Sequence, residues 1–278
     1  MSAATGFIMQ YAQKFWLLTS LHVITGINPT NRFVLSTTGC VPTRITFFVL
    51  ISESNTDRKR RRSSILVRED DRPFRYRWQG GLVWFDDHDA TNQNDYCAIP
   101  LEAYVPQLKE EKYSLRAIEG GKVTLKKDVR PAQQVGIEDI NHFYPAVGHQ
   151  VFVLGYPDVI KSSGIFPILK GATIASEPLV GLSFGEWKSD KLFYVDALTK
   201  SGMSGAPVVC LPKPGDLFYT DDGVVVEAPS PQPFLVGIYA GRDGVIDQEY
   251  GLALGRVWKV SAFEDLLLKS SIKLLNSN

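Results

Sequence analysis

Apolar residues along this chain come in short runs separated by Gly, Pro, Asn and Asp. The stretches ATGFIMQYA, FWLLTSLHV, ITFFVLIS, LVWFDD, QVFVLGYP, KLFYVDAL, APVVCL and FLVGIYAG are rich in Phe, Val, Ile, Leu and Tyr. Such runs fit strands, and the residues between them fit turns. Many strands with few helical periods predict an all-β barrel or sandwich. No strand–helix alternation points to a parallel α/β sheet. One segment breaks the pattern. SAFEDLLLKSSIKLLN, from residue 261, spaces Phe263, Leu266, Leu267, Leu274 and Leu275 for one face of a helix. Ser261 and Glu264 are spaced as a capping box at its start.

The chain has 278 residues, 44% of them hydrophobic and 22% charged, with a formal net charge of zero. This is ordinary globular composition, and no global field draws in nucleic acid or a membrane. Three cysteines, Cys40, Cys97 and Cys210, have no framework spacing. They suit a reducing compartment, and no Cys/His cluster has metal spacing. The expectation is a cytoplasmic protein without metal or cofactor. The early apolar stretch lacks a basic n-region, and no run is long enough to span a bilayer. The run Arg58–Arg62 is expected in a solvated hairpin loop, since acidic residues lie nearby and no aromatic is interleaved.

Candidate chemistry centres on TKSGMSGAPVV, residues 199–209. Gly202 and Gly205 flank Ser204. Glycines permit a tight bend, and such a bend can hold a nucleophile or merely enter a strand. A nucleophilic serine needs a base and the base an orienter. His88, His142 and His149 sit in polar or turn-like surroundings, whereas His22 ends an apolar run. That position suits either a base at a barrel rim or a satisfied core histidine. Asp95, in NDYCAIPL, suits either the orienter or an Asx turn, with Asp86, Asp87 and Asp89 as competitors. Lys200 is a lesser rival as a base for Ser204.

Taken in chain order, these motifs resemble one family. WLLTSLHVI resembles the W-L-[LV]-T-x-x-H-V motif of the trypsin/chymotrypsin-like serine proteases, and NDYCAIPL resembles their D-[VL]-A-[VL] motif. DALTKSGMSGAPVV resembles their G-x-S-G-[GA]-P segment. ATGFIM, GYPDVI with FPILKGATIAS, and LVGIYAG with YGLALGRVWKV resemble strands of the same family. The likeness spans residues 4–260 in one order and is closest to bacterial members without disulfides.

The resemblance implies an all-β, chymotrypsin-like fold of two antiparallel six-stranded β-barrels, with the cleft between them and a C-terminal α-helix. Residues 1–135 would form the first barrel with His22 and Asp95. Residues 136–260 would form the second with Ser204, and 261–278 the helix. It implies a serine endopeptidase acting on protein or peptide substrates through His22, Asp95 and Ser204, with the N–H groups of Gly202 and Ser204 as the oxyanion hole. A substrate pocket would be lined by Leu198, Tyr239, Ala240, Gly241, Gly251, Leu252 and Ala253. Met203 stands where digestive members have the Asp that serves zymogen activation, so control by a regulatory protein partner is one expectation. The alternative function is a protease-fold binding or regulatory module with a closed or inactive cleft.

Overall fold

The computed structural model describes residues 4–11, 14–28, 33–36, 44–54, 57–66, 77–78, 81–82, 94–101, 114–115, 118–119, 143–157, 167–184, 187–220, 222–227, 233–243 and 254–275. The chain divides into two compact units. One holds Ile8–Ala117 with Leu266–Asn278, and the other holds Met1–Phe7 with Ile118–Asp265.

The first of these units is built on β1 (Phe7–Tyr11) and β2 (Lys14–Thr19), followed by the short helix α1 (Leu21–Thr25). Then come β3 (Arg44–Ser54), β4 (Asp57–Leu66), β5 (Arg77–Trp78), β6 (Gly81–Leu82), β7 (Cys97–Pro100) and β8 (Ser114–Leu115). β2 lies between β1 and β7, and β3 lies between β4 and β8. Strand β1 alternates buried and half-buried residues, the period of a strand with one face to a core. Met9, Trp16, Leu18, Ile24, Tyr96, Ala98 and Ile99 are almost wholly buried. The closure into six strands expected of residues 1–135 is not completed among the described residues.

The arginine run is not in a loop. Arg58–Arg62 lies within β4, in antiparallel register with Phe48–Ser52 of β3. The long apolar run of β3 needs a partner ladder, and β4 supplies it whatever its side-chain charge. As the outer strand of its sheet, β4 is where cationic residues are tolerated and discourage further pairing.

The other unit contains β9 (Ile118–Glu119), β10 (Tyr144–Pro145), β11 (Gln150–Gly155), β12 (Ile168–Ile174), β13 (Leu182–Phe184) and β14 (Trp187–Ser189). It continues with β15 (Leu192–Asp196), β16 (Ala206–Cys210), β17 (Leu217–Tyr219), β18 (Val225–Glu227), β19 (Phe234–Asp243) and β20 (Leu254–Lys259), and helix α2 (Val260–Leu275) starts in this unit while its residues from Leu266 on belong to the first. Six of these strands close into a barrel in the order β11-β12-β15-β20-β19-β16. Val151, Val153, Phe193, Val195, Val208, Val236 and Val257 fill its core with Met203 and Tyr239. β-Branched and aromatic residues dominate, as a small barrel interior requires. The proline-rich stretch 211–233 contributes β17 and β18, which form a small sheet with β10.

Helix α2 forms where the spacing predicts it, but the capping box does not start it. The helix begins at Val260, and the Ser261 hydroxyl receives a hydrogen bond from the Tyr144 hydroxyl at 3.0 Å. A tertiary partner takes the group that local sequence assigned to a cap.

Candidate functional site

Strand register brings His22 and Asp95 together. β2 and β7 pair antiparallel with Thr19 opposite Cys97. Both chains run on past that pair in opposite directions, so the residues just after Thr19 lie beside those just before Cys97. β2 ends at Thr19, and His22 sits on α1, not on the strand. Leu21 and Ile24 are the buried residues of α1 and fix its face. Gly26 ends it in the left-handed region, at φ 69°, and its N–H donates to the His22 carbonyl at 2.8 Å.

Asp95 is fully buried and holds His22 twice. Oδ1 accepts the His22 backbone N–H at 2.8 Å, and Oδ2 lies 2.6 Å from the ring Nδ1. A carboxylate can only accept, so Nδ1 carries a proton, and in the neutral ring Nε2 is then the nitrogen with the free lone pair. The His22 side chain is 17% exposed, against 0% for Asp95. A buried carboxylate is costly unless it is hydrogen-bonded, and both of its oxygens are. Asp86, Asp87, Asp89, His88 and His142 lie outside the described residues. His149 is a turn residue, as expected: its N–H donates to the Ala146 carbonyl at 3.1 Å, and its ring lies against Phe218.

Ser204 belongs to the other compact unit, in the turn before β16. The glycines around it do what the sequence suggests. Gly202 has φ 94° and Gly205 φ 84°, both left-handed, where other residues are strained. The Ala206 N–H donates to the Met203 carbonyl at 3.0 Å and closes the bend. The Met203 side chain is buried in the barrel core and anchors the loop from below.

Of the expected pocket residues, Leu198 is 66% exposed while Tyr239 and Ala240 are buried. The Tyr239 hydroxyl is 2.5 Å from Thr199 Oγ1. The register shifts between Tyr239 and Gly241 on β19. Gly241 has φ 114°, and a Cβ there would lie 3.7 Å from Ser204 Oγ. Gly251, Leu252 and Ala253 lie outside the described residues. Sequence reasoning missed Thr5. It is buried, its N–H donates to the Ser204 carbonyl at 3.0 Å, and its hydroxyl donates to the Gly202 carbonyl at 2.7 Å. No local pattern marks a threonine so far from its partners.

Cys97 and Cys210 are buried thiols, and Cys40 lies outside the described residues.

No family model matches the chain, and no curated protein matches it. Among solved structures, the chain is similar to the inactive form of the Rv3671c protease of M. tuberculosis, at 16% identity and a TM-score of 0.38, covering 96% of this chain and 83% of that one. It is similar to the MamO protease domain of Magnetospirillum magneticum at 13% identity and a TM-score of 0.43, over 94% of this chain and 86% of the other. A glutamic acid specific serine protease aligns at 12% identity and a TM-score of 0.34, over 94% and 90% of the two chains.

Proposed function

We propose that this protein is a serine endopeptidase with Ser204 as nucleophile, His22 as general base and then acid, and Asp95 as orienter of the imidazole. The observation that carries the reading is the double hold of Asp95 on His22. In the neutral imidazole it directs the lone pair to Nε2, which is the tautomer a general base requires. Ser204 Oγ attacks the scissile carbonyl carbon while its proton passes to Nε2. The carbonyl electrons move to oxygen, and the N–H groups of Gly202 and Ser204 stabilise that oxyanion. Collapse expels the amine, which takes the proton from His22. Water then hydrolyses the acyl-enzyme ester by the same relay.

The substrate is a protein or peptide, cut after an apolar residue. Leu198 would form the pocket floor, with Tyr239, Ala240 and Gly241 on one wall and Gly251, Leu252 and Ala253 on the other. A leucine floor gives a bound Lys or Arg no partner, whereas an apolar side chain gains about 1.5–3 kcal/mol on burial. The test is a fluorophosphonate probe with mass spectrometry of the adduct. Labelling of Ser204 that is lost in His22→Ala is expected. A folded protein that neither labels nor cuts a peptide library overturns the reading and favours a binding module with a closed cleft.

A further inference from the structure

The loop carrying Ser204 is held by a side chain to which the proposed reaction gives no role. Thr5 is 2% exposed and lies in the same compact unit as Ser204. Its hydroxyl donates to the Gly202 carbonyl at 2.7 Å and accepts the Tyr156 N–H at 2.9 Å. Its own N–H donates to the Ser204 carbonyl at 3.0 Å. The peptide between Gly202 and Met203 is therefore tied through its oxygen. The peptide between Ser204 and Gly205 is tied at both ends, because the Gly205 N–H donates to the Tyr239 carbonyl at 2.8 Å. Between these two fixed planes lies the Met203–Ser204 peptide, which carries the Ser204 N–H.

We infer that Thr5 is a positioning residue that sets the aim of the Ser204 N–H and of the nucleophile by clamping the peptides on either side. The inference rests on the endopeptidase reading. Two features favour this over simple packing. Threonine is stiff at χ1, so its hydroxyl is aimed by its backbone. The residue beneath it is Gly155, where a Cβ would lie 2.9 Å from Thr5 Oγ1 and 2.7 Å from Met203 Sδ. The space under the clamp is thus fitted to the threonine and to the loop it holds. An oxyanion donor acts only if it points where charge develops, so a small rotation of this peptide acts on the transition state more than on substrate binding.

The test compares Thr5→Val, which keeps shape and backbone N–H but loses the hydroxyl, with Thr5→Ser, which keeps the hydroxyl. Each is assayed on a chromogenic peptide anilide cut after leucine, and titrated with the matching peptide boronic acid. In Thr5→Val, kcat is expected to fall about 10- to 100-fold, less than the roughly 10²–10³-fold seen when an oxyanion donor is removed outright. KM should stay within about twofold, and boronate affinity should fall in step with kcat/KM. Thr5→Ser should recover most of the rate. If Thr5→Val does not fold, Thr5→Ala carries the same comparison. Wild-type kcat in the variant, a change in KM alone, or no rescue by serine overturns the positioning role and leaves the endopeptidase reading intact. A wild-type protein that neither labels at Ser204 nor cuts the anilide overturns both.

Discussion

Asp95 grips His22 at two points, the backbone N–H through Oδ1 at 2.8 Å and the ring Nδ1 through Oδ2 at 2.6 Å. One carboxylate thereby fixes both where the residue begins and how its ring is turned. The backbone contact alone would leave the imidazole free to swing about its Cα–Cβ bond.

Replacing Asp95 by Asn separates these two functions. The amide oxygen can still accept one N–H, but its nitrogen donates to Nδ1 and moves the ring proton to Nε2. Peptide hydrolysis should fall about 10⁴-fold, as in the general triad. Asp95→Ala should also destabilise, because two donors lose their acceptor, each costing about 1–3 kcal/mol. Steady-state kinetics and urea midpoints on the two variants separate chemistry from fold. Equal activity in Asp95→Asn and wild type would remove the carboxylate from the mechanism.

Ser204→Ala should abolish fluorophosphonate labelling and peptide hydrolysis while changing stability by less than about 1 kcal/mol. The loop's backbone bonds to Thr5 and Tyr239 do not involve the Ser204 side chain. Intact-mass spectrometry and thermal unfolding of the two proteins check both halves.

Gly241→Ala tests the backbone beside the nucleophile. At φ 114° the new residue is strained by about 1–3 kcal/mol, although its Cβ would meet Ser204 Oγ at an ordinary 3.7 Å. A lowered melting temperature is expected, with a drop in kcat if the strain is relieved by moving β19. Unchanged stability would mean that Gly241 does not hold this conformation in solution.

Cys210 provides a pH test independent of the chemistry. Burial, and then the negative charge of Asp216, push its thiol from an ordinary value of 9.0 up to about 12. Below pH 9 both folded and unfolded chains keep the proton, and stability is unaffected. Above it the unfolded chain releases the proton while the folded chain holds it. Stability is then lost as pH rises toward 12, by at most about 1.4 kcal/mol per pH unit. Urea midpoints at pH 8 and pH 10.5 should fall more steeply for wild type than for Cys210→Ala. Iodoacetamide should leave Cys210 unmodified in the folded protein at pH 8.

His22, Asp95 and Ser204 stand out in the sequence by residue type and by their neighbours, and of these the structure pairs His22 with Asp95 and sets Ser204 in a glycine-flanked bend. The details were less legible. His22 reads as the end of a strand because FWLLTSLHV is mostly apolar. The chain instead leaves the strand at Thr19 and makes a turn of helix. Ser20 before Leu21, Ile24 three residues on and Gly26 after were the available signal. The arginine run reads as a loop by its charge, yet β3 requires a hairpin partner of matching length and β4 is that partner. Thr5 could not be read at all. Its partners Gly202 and Tyr156 lie 197 and 151 residues away, and only the folded barrel brings them near.

The antiparallel register of Thr19 with Cys97 also works as a ruler. A strand advances about 3.3–3.4 Å per residue, so inserting one residue between Thr19 and His22, or between Asp95 and Cys97, displaces a partner by more than a hydrogen bond's reach. His22 and Asp95 are 73 residues apart in sequence, yet the register of the few residues beside them sets the distance between the two.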